Sequence, residues 1–344
     1  MPAGRIGFLL VTRSRSRLPV LDDTPPATSY KRLSPPATRL TRAEKPMPDA
    51  PDHIVFDRAL LDRRRGRWHA AATSDSPRFL LKAIAAELAD RLSLVDRRFE
   101  TAVDLGGHTG EMATLLEQGG QTGRVLRIER LPSLLGDSAM AVVGDEEMLP
   151  LAADSVDLIV STLSLHLTND TPGALVQLRR ALKPDGLFLC ALLGGGTLNE
   201  LRASLFAAEA ELLGGVSPRV APFADVRDAG GLLQRAGFAL PVTDQDRLTV
   251  RYDSLFELMA DLRAMGMANM LVERSRRPAS RRLFLRAAEI YAERFSDPDG
   301  RIRATFDIIY LSGWRPHESQ QKPLKPGSAR ASLADALKDR SDKL

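Results

Sequence analysis

The chain has 344 residues, of which 44% are hydrophobic and 27% charged, which is the composition of an ordinary globular protein. No apolar run approaches the roughly 20 residues that a bilayer-spanning helix needs, so we predict no membrane span. The single cysteine, Cys190, excludes an internal disulfide and a cysteine-rich metal site. Its apolar neighbours favour a role in core packing, in a reducing compartment.

The positive charge of the chain is concentrated at its N-terminus. Residues 1–46 carry a net charge of +6, whereas the whole chain carries +4, so the remaining 298 residues have a net charge of −2. The body of the protein shows no basic stripe with interleaved aromatic residues, which is the usual pattern of a nucleic-acid-binding surface. We therefore predict no nucleic-acid partner.

Residues 1–46 also contain seven of the chain's 22 prolines. The pairs Pro25-Pro26 and Pro35-Pro36 preclude a regular helix through most of this stretch. We interpret it as a disordered basic tail, or as sequence upstream of a true start at Met47. A mitochondrial transit peptide is the alternative, because the segment is rich in arginine and poor in acidic residues.

Strands and helices alternate with short connections after an N-terminal helical extension at residues 47–98. Residues 99–196 form the predicted core. Alternation of this kind is typical of a parallel sheet covered by helices on both faces. The predicted strands are residues 99–105, 124–128, 140–143, 156–161 and 187–193, with helices ending at residue 118 and covering residues 171–182.

The pattern changes after residue 196, where helices predominate. We predict that residues 197–322 form a helical cap together with late strands that complete the sheet, and that residues 323–344 are a loose tail. Residues 303–314 are expected to return to the edge of the sheet. The predicted helices are residues 197–213, 225–236, 253–270 and 280–294.

A glycine-rich turn follows the first predicted strand. Asp104 lies near the end of the strand, and Gly106, Gly107 and Gly110 allow the backbone to approach a nucleoside-type ligand closely. Turns of this kind in S-adenosylmethionine enzymes usually have a glycine at the middle position, where this chain has His108. We predict that the chain binds S-adenosylmethionine despite the histidine at this position.

Carboxylates follow the next two strands. Glu129 lies 19 residues beyond Gly110 at the end of strand two, where it would accept hydrogen bonds from ribose hydroxyls. Asp145 follows strand three, where it would accept the adenine amino proton. Glu146 and Ser161 complete the set of residues that we predict to bind S-adenosyl-L-methionine.

Several motifs resemble a known family. Residues 144–151 and 154–158 look like the type 11 branch of the class I methyltransferases. Residues 54 to 330 resemble the complex I assembly factor 5 family. The segments that carry this second resemblance are residues 56–58, 161–170, 195–202, 256–262 and 313–320. The resemblance implies a Rossmann-like seven-stranded sheet of the class I methyltransferase type, with a helical cap inserted after strand five.

The resemblance implies an enzyme of the S-adenosylmethionine-dependent methyltransferase superfamily, but it leaves the reaction open. Mitochondrial members are credited with hydroxylating an arginine on an iron–sulfur subunit of complex I during respiratory-chain assembly. One alternative is a methyltransferase that acts on a small or carrier-bound acceptor, and another is a non-catalytic assembly chaperone. We expect a cytoplasmic location if the source is bacterial and the mitochondrial matrix if it is eukaryotic.

His166 follows strand four, where an acceptor would meet the cofactor's methyl group. It is a candidate catalytic residue, either as a base or as a group that orients the substrate, and capping of the strand end is an equal alternative. The chain's five histidines show no close pairing typical of an iron site, so we predict no metal.

Two further clusters have ordinary structural explanations. Residues 63–65 are three consecutive arginines, which we interpret as a surface run. Met259, Met265, Met267 and Met270 fall on one predicted helix, where core packing is the simplest explanation and an adaptable lid over the substrate is the alternative.

Overall fold

The computed structural model describes residues 54–71, 78–138 and 140–321. The tails predicted at residues 1–46 and 323–344 lie outside this part of the chain. All the elements below belong to one unit that starts at Val55. Within the described residues, no helix is long and apolar enough to cross a membrane.

The centre of the molecule is a seven-stranded sheet with the order β3-β2-β1-β4-β5-β7-β6. Strands β1 to β5 are parallel, and β7 runs antiparallel to both of its neighbours. The predicted seven-stranded α/β sheet is confirmed. The strands are β1 (Phe99–Leu105), β2 (Thr122–Glu129), β3 (Ala141–Val143), β4 (Val156–Thr162), β5 (Leu182–Leu193), β6 (Ala239–Tyr252) and β7 (Ile302–Trp314).

The last two strands are placed differently from the prediction. The expectation that residues 303–314 return to the sheet edge is wrong, because β7 lies between β5 and β6. The strand at this edge of the sheet is β6, which was not predicted. Burial explains both outcomes. Strand β7 is buried on both faces, so its mostly apolar sequence was recognised as a strand, whereas most residues of β6 are exposed or half-buried and its sequence gives a weaker signal.

Helices cover both faces of the sheet. Helices α5 and α7 pack on one face, and α2, α3, α6, α8 and α9 pack on the other. A third, small cluster joins Phe56 and Leu61 to Leu167, Met270 and Leu271. The helices are α1 (Arg58–Ala71), α2 (Phe79–Ser93), α3 (Glu111–Gln118), α4 (Pro132–Leu135), α5 (Thr171–Ala181), α6 (Asn199–Leu213), α7 (Val226–Ala236), α8 (Leu255–Ala264) and α9 (Arg281–Phe295).

The helices beyond the fifth strand are inserted at two points of the chain. Helix α6 follows β5, whereas α8 and α9 lie between β6 and β7, and α9 packs against α6. The helix predicted for residues 253–270 is shorter than expected. It ends at Ala264 because Gly266 adopts a φ of 75°, which only glycine reaches at little cost. Met265, Met267 and Met270 therefore lie after the helix.

Candidate active site

The turn after β1 has the close backbone approach that its glycines predict. The Gly106 N–H donates to the Ile128 carbonyl at 2.8 Å, which joins the turn to the end of β2. Gly106 and Gly110 have φ values of 61° and 87°. A side chain at Gly110 would also collide with the Arg127 guanidinium, because a Cβ there would lie 2.8 Å from its central carbon.

Asp104 lies buried beneath this turn. Its carboxylate is 3.8 Å from Arg127 Nε, and neither carboxylate oxygen has a hydrogen-bond partner among the described residues. Burial raises the pKa of Asp104 to about 7, against the opposing effect of Arg127. A Cβ at Gly107 would lie 2.1 Å from these oxygens, so a residue without a side chain is required there.

His108 occupies the middle of the turn in a left-handed conformation, with a φ of 52°. Its N–H donates to Glu129 Oε2 at 3.1 Å, and its carbonyl accepts from Arg127 Nη2 at 2.9 Å. The imidazole Nε2 lies 3.3 Å from the Leu163 carbonyl. Burial holds the pKa of His108 well below its ordinary value, so the ring is neutral at physiological pH.

Glu129 ends β2 and is almost fully buried. One oxygen accepts from the His108 N–H, and the other accepts from the Arg130 N–H at 2.9 Å. Burial raises the pKa of Glu129, while the nearby Arg65 and these N–H groups oppose the rise. The structure therefore brings Glu129 and the turn together, as the spacing predicts.

Asp145 follows β3, the next strand along the sheet. Its Oδ1 accepts from the Glu147 N–H at 2.8 Å and from Arg58 Nη1 at 2.6 Å. Although burial opposes them, these bonds lower the pKa of Asp145. The other oxygen is 3.7 Å from Arg130 Nε, which is too far for a hydrogen bond, so it is available to a further donor.

Arg58, at the start of α1, is a site residue that the sequence analysis missed. Besides Asp145, its guanidinium contacts Glu147 at 2.8 Å and Glu146 at 2.5 Å. The Glu146 side chain is 4% exposed, and its other oxygen accepts from Ser164 Oγ at 2.5 Å. Residues 56–58 carry part of the family resemblance, but that resemblance gave Arg58 no role. A second signal is the spacing of seven residues between Arg58 and Arg65, which puts both on one face of a helix.

A cavity of about 460 Å³ opens beside the turn, a size that suits a small ligand. It lies where β1 and β4 end, under α1 and the segment that follows α8. Its lining includes Met265 and Met267, two of the methionines singled out in the sequence. The other lining residues are Arg65, Trp68, His69, Arg78, Leu80, Leu81, His108, Thr109, Leu134, Leu163, His166, Leu167, Leu193, Ala264 and Gly266.

The arginine run at residues 63–65 is only partly the surface feature that we expected. Arg63 is exposed, but Arg64 donates to the Asn269 carbonyl. Arg65 lines the cavity, and its Nε is buried without a hydrogen-bond partner among the described residues. Helical geometry accounts for the difference, because three consecutive residues point in three directions.

His166 lies in a short 3₁₀ turn, Leu165–Leu167, and lines the cavity. Its Nδ1 is buried without a hydrogen-bond partner among the described residues, and its ring meets Phe223 edge-on at 5.5 Å between centroids. Burial, together with the charge of Arg65, lowers the pKa of His166 to about 3. The neutral ring can accept or donate one hydrogen bond at each nitrogen, according to its tautomer.

Of the predicted site residues, His108 and His166 line the cavity. Ser161 is directed to the other face of the sheet. It lies in β4 next to Leu105 and Cys190 of the neighbouring strands. Cys190 packs in the cluster on the α5 and α7 face of the sheet, whereas Leu163 and Leu193 of the cavity belong to the opposite face. In residues 54–71, 78–138 and 140–321, no group of three or more potential ligands is placed to hold a metal ion.

Comparison with known proteins gives a consistent result. The family profile described as a methyltransferase domain matches residues 103–190. The mitochondrial arginine-hydroxylase NDUFAF5 of Danio rerio is 40% identical over 292 residues, which cover 83% of this chain and 90% of that protein. The chain belongs to the NDUFAF5 family. The human member is also 40% identical, over 82% of this chain and 83% of its own length.

The family lies within the class I S-adenosylmethionine-dependent methyltransferase superfamily, to which the chain therefore belongs. A further relative is the malonyl-acyl-carrier-protein O-methyltransferase of Laribacter hongkongensis. It is 33% identical over 75% of this chain and 90% of that protein. The hydroxylase relatives are thus more similar to this chain than the carrier-protein methyltransferase is.

The residues present fit S-adenosylmethionine, the cofactor of the superfamily. The acceptor oxygen of Asp145 and the buried carboxylate of Glu129 lie at the ends of adjacent strands, beside a turn that needs glycine. We propose that Glu129 holds the ribose hydroxyls and Asp145 the adenine amino group, with the residues of the turn, including Gly106 and His108, against the rest of the cofactor. When bound, the cofactor supplies a methyl group on a positively charged sulfur.

Proposed function

We propose that this protein hydroxylates an arginine side chain of a protein substrate, an iron–sulfur subunit of complex I, and so assists respiratory-chain assembly. The reaction is a two-electron oxidation of a C–H bond, so it requires dioxygen and an external two-electron reductant, with one oxygen atom entering the side chain and the other leaving as water. The observation that carries the proposal is the extent of the similarity to NDUFAF5: 40% identity reaches across 90% of the Danio rerio protein, well beyond the methyltransferase domain at residues 103–190. The compartment stays a prediction: the cytoplasm if the source organism is bacterial, and the mitochondrial matrix if it is eukaryotic.

The lining of the cavity is compatible with an arginine side chain. Leu163, Met265 and Met267 offer apolar contacts to its aliphatic stem. His166 lines the same cavity and is neutral, and its Nδ1 has no hydrogen-bond partner among the described residues. In one tautomer this nitrogen can therefore accept a hydrogen bond from a guanidinium N–H. A cationic imidazole would repel the substrate, and burial prevents that state.

The test is a peptide mass comparison of the complex I iron–sulfur subunits in cells with and without the gene. We expect one arginine-containing peptide to be heavier by one oxygen atom only when the gene is present. Re-expression of the wild-type protein should restore the modification. A peptide that instead differs by one methyl group would identify a protein methyltransferase, and unchanged subunits would contradict the proposal.

Methyl transfer to a carrier-bound acid is the second candidate. Two observations favour it: the 33% identity to the carrier-protein methyltransferase, and the guanidinium group of Arg78 in the cavity lining. A guanidinium suits a carboxylate acceptor because it can form two parallel hydrogen bonds with it. Incubation of the purified protein with S-adenosylmethionine and a malonyl carrier protein decides this candidate, since it requires a methyl ester product.

A further inference from the structure

Arg65 differs from the other arginines around the cofactor-binding residues. Arg58 contacts three carboxylates, and Arg130 contacts Asp62 at 2.6 Å. Arg65 lies on the same face of α1 as Arg58, yet no carboxylate oxygen among the described residues lies within 4.0 Å of its guanidinium. Its Nε is buried without a hydrogen-bond partner there, as is the Nε of Arg58, so the difference between the two arginines is the carboxylate. Among the described residues, Arg65 therefore lacks the anionic partner that Arg58 and Arg130 have.

An unpaired guanidinium in a cavity is energetically unfavourable. Its Nε loses hydration, and no hydrogen bond from the described residues replaces it. The group stays charged because its intrinsic pKa is far above neutrality. Burial lowers the pKa of Arg65, although Glu129, Glu146 and Asp62 are close enough to oppose this. An anionic ligand with two oxygens would satisfy the group, because a carboxylate matches the guanidinium fork.

The sheet order indicates which anion would lie at this position. Along the sheet, Asp145 follows β3, Glu129 ends β2, and the turn with His108 follows β1. A nucleoside with its adenine at Asp145 and its ribose at Glu129 would direct its 5′ substituent toward the cavity at the ends of β1 and β4. In S-adenosylmethionine this substituent is the sulfonium and the amino acid, which ends in a carboxylate.

We propose that Arg65 binds the amino-acid carboxylate of S-adenosylmethionine. The inference rests on the cofactor and is independent of the acceptor, so it holds for both hydroxylation and methyl transfer. It also explains how a cationic substrate enters a cavity that contains an arginine. The cofactor's carboxylate neutralises Arg65, and the substrate then meets a paired guanidinium.

Two ligands separate this role from a general structural one. S-adenosylhomocysteine carries the carboxylate, whereas 5′-methylthioadenosine has the same nucleoside and lacks the amino acid. We would measure the dissociation constants of both by calorimetry on the full-length protein and on Arg65→Ala. Loss of a hydrogen-bonded charge pair predicts a 10- to 100-fold weaker S-adenosylhomocysteine complex, on the order of the energy of such bonds. The affinity for 5′-methylthioadenosine should stay within about twofold.

Two further variants control the experiment. Arg65→Lys keeps the charge and most of the side-chain volume but loses the fork, so we expect a loss for S-adenosylhomocysteine that lies between those of wild type and Arg65→Ala. Arg67→Ala removes an exposed arginine two residues further along α1 and should change neither affinity. Equal losses for both ligands in Arg65→Ala would overturn the proposal, and so would unchanged binding of both.

Discussion

The two ends of the cofactor-binding region differ in how their charges are satisfied. At the ends of β2 and β3, Asp145 and Glu146 are paired with Arg58 before any ligand is bound. At the ends of β1 and β4, Arg65 has no carboxylate oxygen within 4.0 Å, and His166 Nδ1 has no hydrogen-bond partner, among the described residues. The first arrangement stabilises the fold, and the second leaves hydrogen-bonding capacity for ligands. Removal of Arg58 should therefore affect stability, whereas removal of Arg65 should affect ligand binding.

The largest expected effect is at Arg58. Arg58→Ala would leave the carboxylate of Glu146, which is 4% exposed, without its counter-charge. Removing one partner of a buried ion pair costs about 3–5 kcal/mol. We expect a loss of this size in the free energy of unfolding, measured by urea denaturation at neutral pH.

Arg124→Ala is the matched control, because its side chain is 60% exposed and lies 3.8 Å from Glu100. An exposed pair of this kind contributes roughly 0–1 kcal/mol. If both variants lose the same small amount, then the Arg58 cluster does not stabilise the fold, and the contrast between the two ends fails.

The second-largest effect is expected on cofactor affinity when Glu129 is substituted. Glu129→Gln keeps the shape of the side chain but removes the charge that would accept the ribose hydroxyls. Hydrogen bonds to a charged group contribute about 1.5–3 kcal/mol, which corresponds to roughly a 10- to 150-fold weaker complex with S-adenosylhomocysteine. Calorimetry measures the change.

Glu117→Gln makes the same change on an exposed position of α3 and should bind S-adenosylhomocysteine normally.

Substitution of both cofactor-binding carboxylates tests the alternative of a non-catalytic chaperone. A chaperone would still support complex I assembly with Glu129→Gln and Asp145→Asn combined, whereas we expect that support to be lost.

His166 should make stability depend on pH. Its pKa in the folded protein is about 3, against 6.5 for an ordinary histidine, so the unfolded chain takes up the proton first as the pH falls. This contribution to stability is fully present above pH 6.5 and is lost progressively below it. Between pH 6.5 and about 5 the loss amounts to roughly 2 kcal/mol.

His166→Gln should lack this component. Asp104 has the opposite pH dependence, because its pKa is raised to about 7 in the folded protein, but it is present in both wild type and variant. The difference in unfolding free energy between the two proteins, measured by urea denaturation at about pH 7 and pH 5, therefore isolates the contribution of His166. A difference that does not change with pH would show that His166 is hydrated in the folded protein.

The smallest effect is expected at His108, whose φ of 52° is unfavourable for any residue with a side chain. His108→Gly should be more stable than His108→Ala by about 1 kcal/mol, because only glycine adopts this conformation freely. Thermal unfolding of the two variants gives the comparison. Equal stability would mean that the turn relaxes when the imidazole is removed.

Local patterns predicted the central part of the fold well. The bounds of β1 agree with the prediction because its apolar run ends at a glycine turn, and α7 ends at Ala236 as predicted, where Gly237 has a φ of 82°. The edge strand β6 was missed because Asp244, Asp246 and Arg247 interrupt its weak alternation. A strand exposed at the sheet edge has little burial to reveal it.

The site was only half predictable. The glycine turn, Glu129 and Asp145 carry spacing signals, because each follows a strand of the same parallel sheet. Arg58 reaches acids 87 and 88 residues away, and a contact over that separation leaves no local pattern. Ser161 fails for a simpler reason: alternation along β4 directs its side chain to the face opposite the cavity.

A crystal structure of the protein with S-adenosylhomocysteine tests the account most directly. We expect the adenine amino group at Asp145, the ribose hydroxyls at Glu129 and the amino-acid carboxylate at Arg65, with space beside His166 left for the acceptor. A ligand with its adenine in the cavity beside His166, or with its carboxylate away from Arg65, would contradict the proposed orientation and the division between the two ends.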